Sequence, residues 1–382
     1  MTEELRPHLV QVSERDLIDL RRRVQETRWA PDAPVPGWEQ GPPPGWMKEL
    51  CHHWVTGYDW RQCEARINGT PQILTTIDGV NVHALVRRSS RPDAIPLLLT
   101  HGWPGSVVEF IEVIDVLAEP RSAEDLAFHV VAPSLPGFGF SAVPDEPGWG
   151  PERVADAWAV LMDRLGYQRF ITQGGDWGSF VSTHLAVRHP ERLIGVHLNM
   201  VIVPPLSESD LTTQEAIALE RAAEQQRVGR GYSAIQSTRP QALGYGLDDS
   251  PVALCAWIVD KLWSWTDHDG DLFQALAPDQ ILDLVSTYWL TRTGTSAARI
   301  YWESVQTLPS TSMYRQARRV DVPSAVSIFP AEVSRPSRRW CEPWFPDLRF
   351  YGEPERGGHF AAYEQPELFV DQVRCGVQAI LD

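Results

Sequence analysis

Short apolar runs that alternate with amphipathic segments are the feature of this sequence that most constrains its fold. The runs are apolar along most of their length and lack the apolar–polar alternation expected of a strand with one face in water. Such strands, separated by helices, are typical of an α/β fold with a parallel sheet covered on both faces. The strands predicted in this way are 95–102, 128–137, 170–175 and 193–203. The helices predicted between them are 106–119, 151–166 and 177–189.

A long helical stretch interrupts this pattern. Strands are predicted again only at 324–329 and 348–352, before a final helix at 365–381. We therefore expect one α/β domain, with a mostly parallel sheet, that carries a helical insertion. The predicted divisions are 1–90 for an N-terminal extension leading into the first strands, 91–203 for the first part of the core, 204–320 for a helical cap and 321–382 for the second part of the core.

The N-terminal extension is built differently from the core. Helices are predicted at 13–28, about 45–56 and 58–68, around a Pro- and Gly-rich stretch that cannot be regular structure. Two strands, 71–77 and 80–87, meet at Asp78-Gly79, a dipeptide typical of a tight hairpin. We expect the tryptophans of the extension to anchor it on the core. These are Trp29, Trp38, Trp46, Trp54 and Trp60.

Composition excludes several classes of protein. The net charge of −16 argues against binding to nucleic acid and to anionic membrane surfaces, because both attract basic proteins. The five cysteines are scattered and form no C-x-x-C pair, so we expect reduced thiols, no disulfide framework and no metal site. The polar N-terminal residues contain neither a signal peptide nor a membrane span, so we expect a cytoplasmic protein.

The strongest chemical signal is Gly174-Gly175-Asp176-Trp177-Gly178, which lies between a predicted strand and a predicted helix. This is the nucleophile-elbow pattern, with aspartate where serine usually stands. The small residues permit a sharp turn that exposes one side chain. The alternative interpretation is an ordinary strand-to-helix turn in which Asp176 caps the helix.

An elbow of this kind needs an oxyanion site from the end of an earlier strand. His101-Gly102-Trp103-Pro104-Gly105 follows the strand 95–102, so we predict the backbone N–H groups of Trp103 and Trp177 as donors. The alternative is a plain strand-to-helix loop, and His101 is interpreted as structural. Phe138 and Phe140 in the next loop, with Phe360, are predicted to shape the pocket wall.

The elbow also needs a base and an acid further along the chain. His359 follows two glycines between the last strand and the last helix, and it is predicted as the base. Glu332, just after the strand 324–329, is favoured as the acid that orients it, over Glu342 and Asp347.

An aspartate nucleophile points to particular substrates. A carboxylate attacks an sp³ carbon that bears a leaving group, and the product is an ester on the enzyme. Water activated by the histidine then hydrolyses that ester. Asp176 therefore predicts an alkyl electrophile, either an epoxide or a halide, and no cofactor.

Together these motifs resemble α/β-hydrolase-fold epoxide hydrolases, in the microsomal-type branch with an N-terminal epoxide hydrolase domain. The resemblance covers roughly residues 5–380, with the motifs in the family's order. The stretches that carry it are the tryptophan-rich run from Arg28-Trp29 to Asn68, HGWPGS (101–106), PSLPGFGFS (133–141), GGDWGS (174–179), GLDDSPVALCAWIVDKLWSWTD (246–267) and RGGHFAAYEQPEL (356–368).

The resemblance implies two cap tyrosines that donate hydrogen bonds to the epoxide oxygen. By local motif these are Tyr232 and Tyr301, with Tyr245 and Tyr288 as weaker candidates. It also implies an epoxide and water as the molecules bound. The tryptophans of the cap and the site suggest an aromatic pocket for a bulky apolar or aryl epoxide.

Relatives of this branch in animals carry a membrane anchor, whereas this sequence predicts a bacterial enzyme without one. Similar enzymes occur in antibiotic pathways, including those of enediynes, so a role in secondary metabolism is expected. Two alternatives are a haloalkane or haloacid dehalogenase, which needs halide-binding donors, and a non-catalytic α/β-hydrolase binding protein. A homo-oligomer is left open.

Overall fold

A mostly parallel sheet of nine strands lies at the centre of the described structure. The computed structural model describes residues 5–207, 209–306 and 318–382 of the chain. The strands are β1 (Arg6–His8), β2 (Gln72–Ile77), β3 (Val80–Arg87), β4 (Ile95–Thr100), β5 (Phe128–Pro133), β6 (Phe170–Gly174), β7 (Leu193–Leu198), β8 (Ser324–Ser327) and β9 (Leu348–Gly352). Their order in the sheet is β1-β2-β3-β5-β4-β6-β7-β8-β9.

The sheet combines an antiparallel edge with a parallel centre. Strands β1, β2 and β3 pair antiparallel, and β3 pairs antiparallel with β5. The remaining pairs are all parallel, namely β5–β4, β4–β6, β6–β7, β7–β8 and β8–β9. The β2–β3 hairpin turns at Asp78 and Gly79, which have φ angles of 49° and 83°. Asp-Gly suits such a turn because both central residues need positive φ.

The apolar runs of the sequence form the parallel strands because both of their faces are buried. Leu97, Leu98 and Leu99 in β4 are all fully buried, as are Phe170 and Ile171 in β6. Several strands end earlier than predicted, because their pairing with neighbouring strands stops before the apolar run does. Thus β5 ends at Pro133 and β7 at Leu198.

Helices surround the sheet in three groups. Those of the N-terminal extension are α1 (Glu14–Gln25), α2 (Pro44–Thr56) and α3 (Trp60–Gly69). Those that alternate with the strands or follow them are α4 (Ile111–Ala118), α5 (Pro151–Arg164), α6 (Trp177–Arg188), α14 (Arg338–Cys341), α15 (Ala361–Glu364) and α16 (Pro366–Leu381). Those between β7 and β8 are α7 (Thr213–Glu224), α8 (Gly231–Thr238), α9 (Pro240–Asp249), α10 (Pro251–Trp265), α11 (Leu272–Ala275), α12 (Pro278–Leu290) and α13 (Gly294–Gln306).

The helices that alternate with the strands pack in two pairs. Helix α4 packs with α16, and α16 also contacts β7, β8 and β9. Helix α5 packs with α6, which contacts β4, β6 and β7. This arrangement is the α/β-hydrolase fold expected from the sequence. Residues 307–317, which were predicted as the end of the cap, lie outside the described residues.

The N-terminal extension packs on the helices between β7 and β8, and not mainly on the core as expected. Helix α2 contacts α12, and α1 contacts α10. The ring of Trp38 stacks on that of Trp263, with centroids 4.2 Å apart and 4° between the planes. The indole N–H of Trp54 donates to Ser286 Oγ at 3.0 Å. The tryptophans therefore connect the extension to the helical insertion.

An ion pair with a buried carboxylate reinforces the same contact. Asp283 on α12 accepts a hydrogen bond from Tyr58 at 2.9 Å and pairs with Arg66 of the extension. Its side chain is almost completely buried, so loss of Arg66 would leave an uncompensated carboxylate. Within the described residues, no helix is long and apolar enough to cross a membrane.

Candidate active site

Asp176 lies at the sharp turn between β6 and α6. It is in a strained backbone conformation, with φ 48° and ψ −127°. The close approach of neighbouring chain segments explains why glycine is needed on both sides of it. A Cβ atom on Gly178 would collide with the carbonyl of Thr100, and one on Gly174 would collide with the carbonyl of Gly178. Strain of this kind is typical of a functional residue that a turn holds in an exposed position.

The carboxylate of Asp176 is held by the loop after β4. Trp103 N–H donates to Asp176 Oδ1 at 2.7 Å. The neighbouring Gly102 must be glycine, because an added Cβ would collide with this carboxylate. Within the described residues, the Asp176 side chain makes no capping bond to α6. The geometry therefore disfavours a simple helix cap, and Trp103 N–H, one of the two predicted oxyanion donors, lies against the carboxylate. The other predicted donor is the backbone N–H of Trp177, which is the first residue of α6.

His101 has a structural position in the same loop. Its Nε2 accepts a hydrogen bond from Leu135 N–H at 3.1 Å, which ties the loop after β4 to the loop after β5. Burial lowers the pKa of His101 to about 4, so the ring is neutral and can accept this bond. This agrees with its interpretation from the sequence as a structural residue.

His359 and Glu332 follow the last two strands and meet beside Asp176. His359 Nδ1 lies 2.8 Å from Glu332 Oε1, and the side chains are 3 % and 0 % exposed. His359 Nε2 lies 3.3 Å from Asp176 Oδ2. The backbone N–H of His359 donates to the carbonyl of Trp265 at the end of α10, which fixes the loop against the helical insertion.

The two rival carboxylates lie elsewhere. Glu342 pairs with Arg338 at 3.1 Å, and Asp347 pairs with Arg349 at 3.0 Å, with all four side chains substantially exposed. Of the three acids considered, Glu332 is therefore the one that the structure brings to the imidazole.

The pKa of His359 reflects opposing effects. Burial favours the neutral ring, but the carboxylates of Glu332 and Asp176 outweigh it and raise the pKa of His359 well above its usual value. The two neighbouring carboxylates therefore favour the protonated imidazole in the free protein. Loss of the charge on Asp176 would remove part of this stabilisation.

Tyr232 and Tyr301 lie above Asp176, on α8 and α13. Their rings meet edge to face with centroids 5.6 Å apart. Burial, together with the negative charge of Asp176, raises the pKa of both phenols. Both therefore remain protonated and able to donate near neutral pH. The alternative Tyr245 is 73 % exposed, and Tyr288 donates its hydroxyl to the Gly105 carbonyl at 2.7 Å.

Aromatic rings form the wall around the tyrosines. Trp103 stacks on Tyr232 with centroids 5.1 Å apart, and Trp177 meets Tyr301 edge to face at 4.8 Å. Trp265 packs against both Tyr232 and His359. The cavity bordered by Trp177, Trp265 and the two tyrosines has a volume of about 160 Å³. Its lining includes Asp176, Trp177, Phe180, Met200, Ile202, Arg230, Tyr232, Trp265, Tyr301 and His359.

The predicted pocket phenylalanines occupy other positions. Among the described residues that line this cavity, neither Phe138 nor Phe140 is present. Phe138 packs behind the site against His101 and Tyr288, because the loop after β5 turns its ring into the core. Phe140 contacts His83. Phe360 lines a second, smaller cavity that also borders Asp176.

Sequence reasoning missed two polar residues at that smaller cavity, Glu109 and Gln173. The Ser106-x-x-Glu109 spacing is that of a capping box, and the structure contains this box. The local pattern gives no sign that the carboxyl also borders Asp176.

Within the described residues, no group of three or more His, Cys, Asp or Glu side chains is placed to hold a metal ion.

Comparison with known proteins agrees with this geometry. The family described as "Epoxide hydrolase N terminus" matches residues 5–110, and the "alpha/beta hydrolase fold" family matches residues 95–366. A Stigmatella aurantiaca protein named "Putative epoxide hydrolase" is 46% identical over 374 residues, covering 96% of this chain and 83% of the relative. Epoxide hydrolase 1 of Sus scrofa is 32% identical, and the match covers 97% of this chain and 88% of the Sus scrofa protein.

A solved structure extends the likeness to the whole fold. The crystal structure of juvenile hormone epoxide hydrolase from the silkworm Bombyx mori superposes with a TM-score of 0.91 at 30% identity. The match covers 99% of this chain and 95% of the silkworm chain. The chain therefore belongs to the epoxide hydrolase family of the α/β-hydrolase fold, in the branch that carries the epoxide hydrolase N-terminal domain.

Proposed function

We propose that the protein adds water to a bulky apolar or aryl epoxide and releases a vicinal diol, through a covalent ester on Asp176. The observation that carries this proposal is the arrangement around one carboxylate. Trp103 N–H lies 2.7 Å from Asp176 Oδ1, and His359 Nε2 lies 3.3 Å from Oδ2. A carboxylate with one oxygen in an oxyanion site and the other beside a base is suited to forming and losing an ester.

In the first step Oδ2 of Asp176 attacks a ring carbon of the epoxide, and the carbon–oxygen bond of the ring breaks. Tyr232 and Tyr301 donate hydrogen bonds to the oxygen as negative charge develops there, and one phenol gives it a proton. Donors that are already in place stabilise this charge without having to reorient. Their shared position in the cavity with Asp176 supports this role.

In the second step water attacks Cγ of Asp176, and His359 acts as the base. Glu332, 2.8 Å from Nδ1, orients the ring and stabilises its charge. Oδ1 becomes the oxyanion and is stabilised by the N–H of Trp103, with Trp177 N–H as the proposed second donor. One of the two diol oxygens therefore comes from Asp176, and the water oxygen takes its place in the regenerated carboxylate.

The Trp and Tyr side chains that line the cavity support a bulky apolar or aryl substrate, because planar rings pack well on such side chains. We extend the proposal to an epoxide of secondary metabolism, such as those of antibiotic pathways, on the strength of the family resemblance. No cofactor takes part in either proposed step.

A panel of racemic aryl, long-chain aliphatic and secondary-metabolite epoxides, with chiral analysis of the diols, tests the proposal. We expect diol from at least one aryl epoxide and no diol from the Asp176→Ala variant. Parallel reactions with haloalkanes test the dehalogenase alternative. Chloride or bromide release without diol formation would overturn the proposed function, as would turnover by Asp176→Ala at the rate of the unmodified protein.

A further inference from the structure

A second cavity shares two lining residues with the substrate cavity, the proposed nucleophile and the proposed base. Among the described residues, Asp176 and His359 are the two that line both spaces. We call this second space the rear cavity. Its lining includes Thr100, Trp103, Glu109, Gln173, Asp176, Asn199, His359, Phe360, Ala361, Ala362 and Phe369.

The rear cavity has room for one water molecule. Its volume is about 20 Å³. A buried site needs roughly 10–15 Å³ on this measure to hold a water, together with two to four polar partners. Asp176, His359, Glu109 and Gln173 supply such partners, whereas phenylalanine and alanine side chains form part of the remaining wall.

One of these polar groups is a buried acceptor with nothing bonded to it. Gln173 donates its amide N–H to Asn199 Oδ1 at 2.6 Å. Its carbonyl oxygen, Oε1, is buried and has no hydrogen-bond partner among the described residues. A buried acceptor without a partner is costly, and an ordered water is a usual way to satisfy it.

Glu109 is held in position by a hydrogen bond from the backbone. Its Oε1 accepts the backbone N–H of Ser106 at 2.9 Å, and the residue is 8 % exposed. Burial raises the pKa of Glu109 to about 8, an effect that the charge on His359 opposes and that on Asp176 reinforces. The raised pKa favours the protonated carboxyl, which can both donate a hydrogen bond to water and accept one.

We propose that the rear cavity holds the water that hydrolyses the Asp176 ester, and that Glu109 is a positioning residue for this water. The inference rests on the proposed function, because it assigns the source of water for the second step. The diol ester occupies the substrate cavity at that stage, so a water stored in the rear cavity does not have to pass the bound product.

Once ester formation has left His359 neutral, the bonds and protons of this step balance without another reactant. The water oxygen bonds to Cγ of Asp176, and one water proton moves to Nε2 of His359. The bond between Cγ and Oδ2 breaks, and the departing diol oxygen takes the proton from His359. The second water proton restores the phenol that protonated the ring oxygen in the first step, which leaves Asp176 as a carboxylate.

The test separates ester formation from ester hydrolysis in Glu109→Gln. Rapid-quench measurements with styrene oxide, or with the best aryl epoxide of the panel, follow the mass of the Asp176 peptide over a single turnover. We expect Glu109→Gln to form the ester at the rate of the unmodified protein. We expect it to hydrolyse the ester more slowly, on the order of 100-fold, because misplaced reactants lose that much rate.

Glu364→Gln is the matched control. Glu364 is also 8 % exposed, and it accepts the backbone N–H groups of Asp267 and Phe360. It does not line the rear cavity among the described residues. This control also removes a buried carboxyl, and we expect ester hydrolysis at the normal rate.

Ala362→Val provides a second, independent variant. It adds two methyl groups to the wall of the rear cavity and leaves Glu109 intact. We expect the same selective loss of hydrolysis. If Glu109→Gln does not fold, the outcome for Ala362→Val decides the question.

Three outcomes would overturn the inference. They are ester hydrolysis at the normal rate in Glu109→Gln, equal slowing of ester formation and hydrolysis, and equal slowing in Glu364→Gln. Each would leave the proposed function standing, provided that the ester forms on Asp176. If no ester forms on Asp176 in the unmodified protein or in any variant, the proposed function itself fails.

Discussion

His359 Nε2 lies 3.3 Å from Oδ2 of Asp176, so the proposed base already touches the proposed nucleophile in the free protein. The same imidazole contacts Glu332 through Nδ1 at 2.8 Å. The ring is thus held between two carboxylates, one of which becomes a neutral ester during the proposed reaction. Formation of the ester should therefore convert His359 from a stabilised cation toward the neutral base that hydrolysis requires.

Replacing Asp176 with asparagine should lower the pKa of His359. The substitution removes one of the two negative charges that raise this pKa, and it imitates the neutral ester. NMR titration of the ring in both proteins measures the change, with intact mass used to verify that the amide persists. An equal or higher pKa in Asp176→Asn would contradict this account of the charge balance.

The raised pKa of His359 also sets the direction of its effect on stability. Because the pKa is higher in the folded chain than the usual 6.5, the contribution of this ring to the unfolding free energy is fully present below about pH 6.5. It is lost as the pH rises through the folded value.

Removing the phenol hydroxyls should slow ester formation. We expect Tyr232→Phe and Tyr301→Phe each to reduce the rate on the order of 100-fold, the loss typical of one donor to a developing oxyanion. The double variant should lose nearly all activity. Tyr245→Phe is the control, since its ring is 73 % exposed on α9. A normal rate of ester formation in the double variant would exclude the proposed role of the tyrosines.

Changing Glu332 to glutamine should mainly slow hydrolysis of the ester. The substitution preserves shape but removes the charge that orients and stabilises the His359 cation, at an expected loss of about 1,000-fold or more. Single-turnover kinetics measures both steps. The matched control is Glu342→Gln, whose carboxylate lies in an exposed pair with Arg338. Equal losses in the two variants would show that Glu332 has no special function.

The contact between the extension and the helical insertion should contribute strongly to stability. Trp54 is 2 % exposed and donates its indole N–H to Ser286. Trp54→Ala should lower the unfolding free energy by about 3–5 kcal/mol, since it leaves a large cavity. Ser286→Ala, which removes only the hydrogen bond acceptor, should cost about 1 kcal/mol. Urea unfolding measures both, and equal effects would mean that the indole ring itself adds little.

Much of the site could be predicted from the sequence because it lies at strand ends. Asp176, Glu332 and His359 follow β6, β8 and β9, and the carboxyl ends of parallel strands meet at one edge of a sheet. The side-chain directions of Phe138 and Phe140 could not be predicted, because the loop after β5 has no periodicity to fix them.

Local sequence patterns also could not predict the contacts between distant parts of the chain. Trp38 and Trp54 looked like anchors for irregular chain, but nothing in their neighbourhood identifies Trp263 and Ser286 as their partners. The edge strand β1 is only three residues long, and it forms because β2 offers a free edge. Glu109 looked like part of a helix and lies beside Asp176 only after the sheet assembles.

The most direct test of the central claim is the mass of the Asp176 peptide after His359→Gln reacts with an epoxide substrate. Without the base, the ester should form and then persist. We predict a mass increase equal to that of the whole epoxide on the peptide that contains Asp176. The same increase on a different peptide, or no increase while diol still appears, would contradict the assignment of Asp176 as the nucleophile.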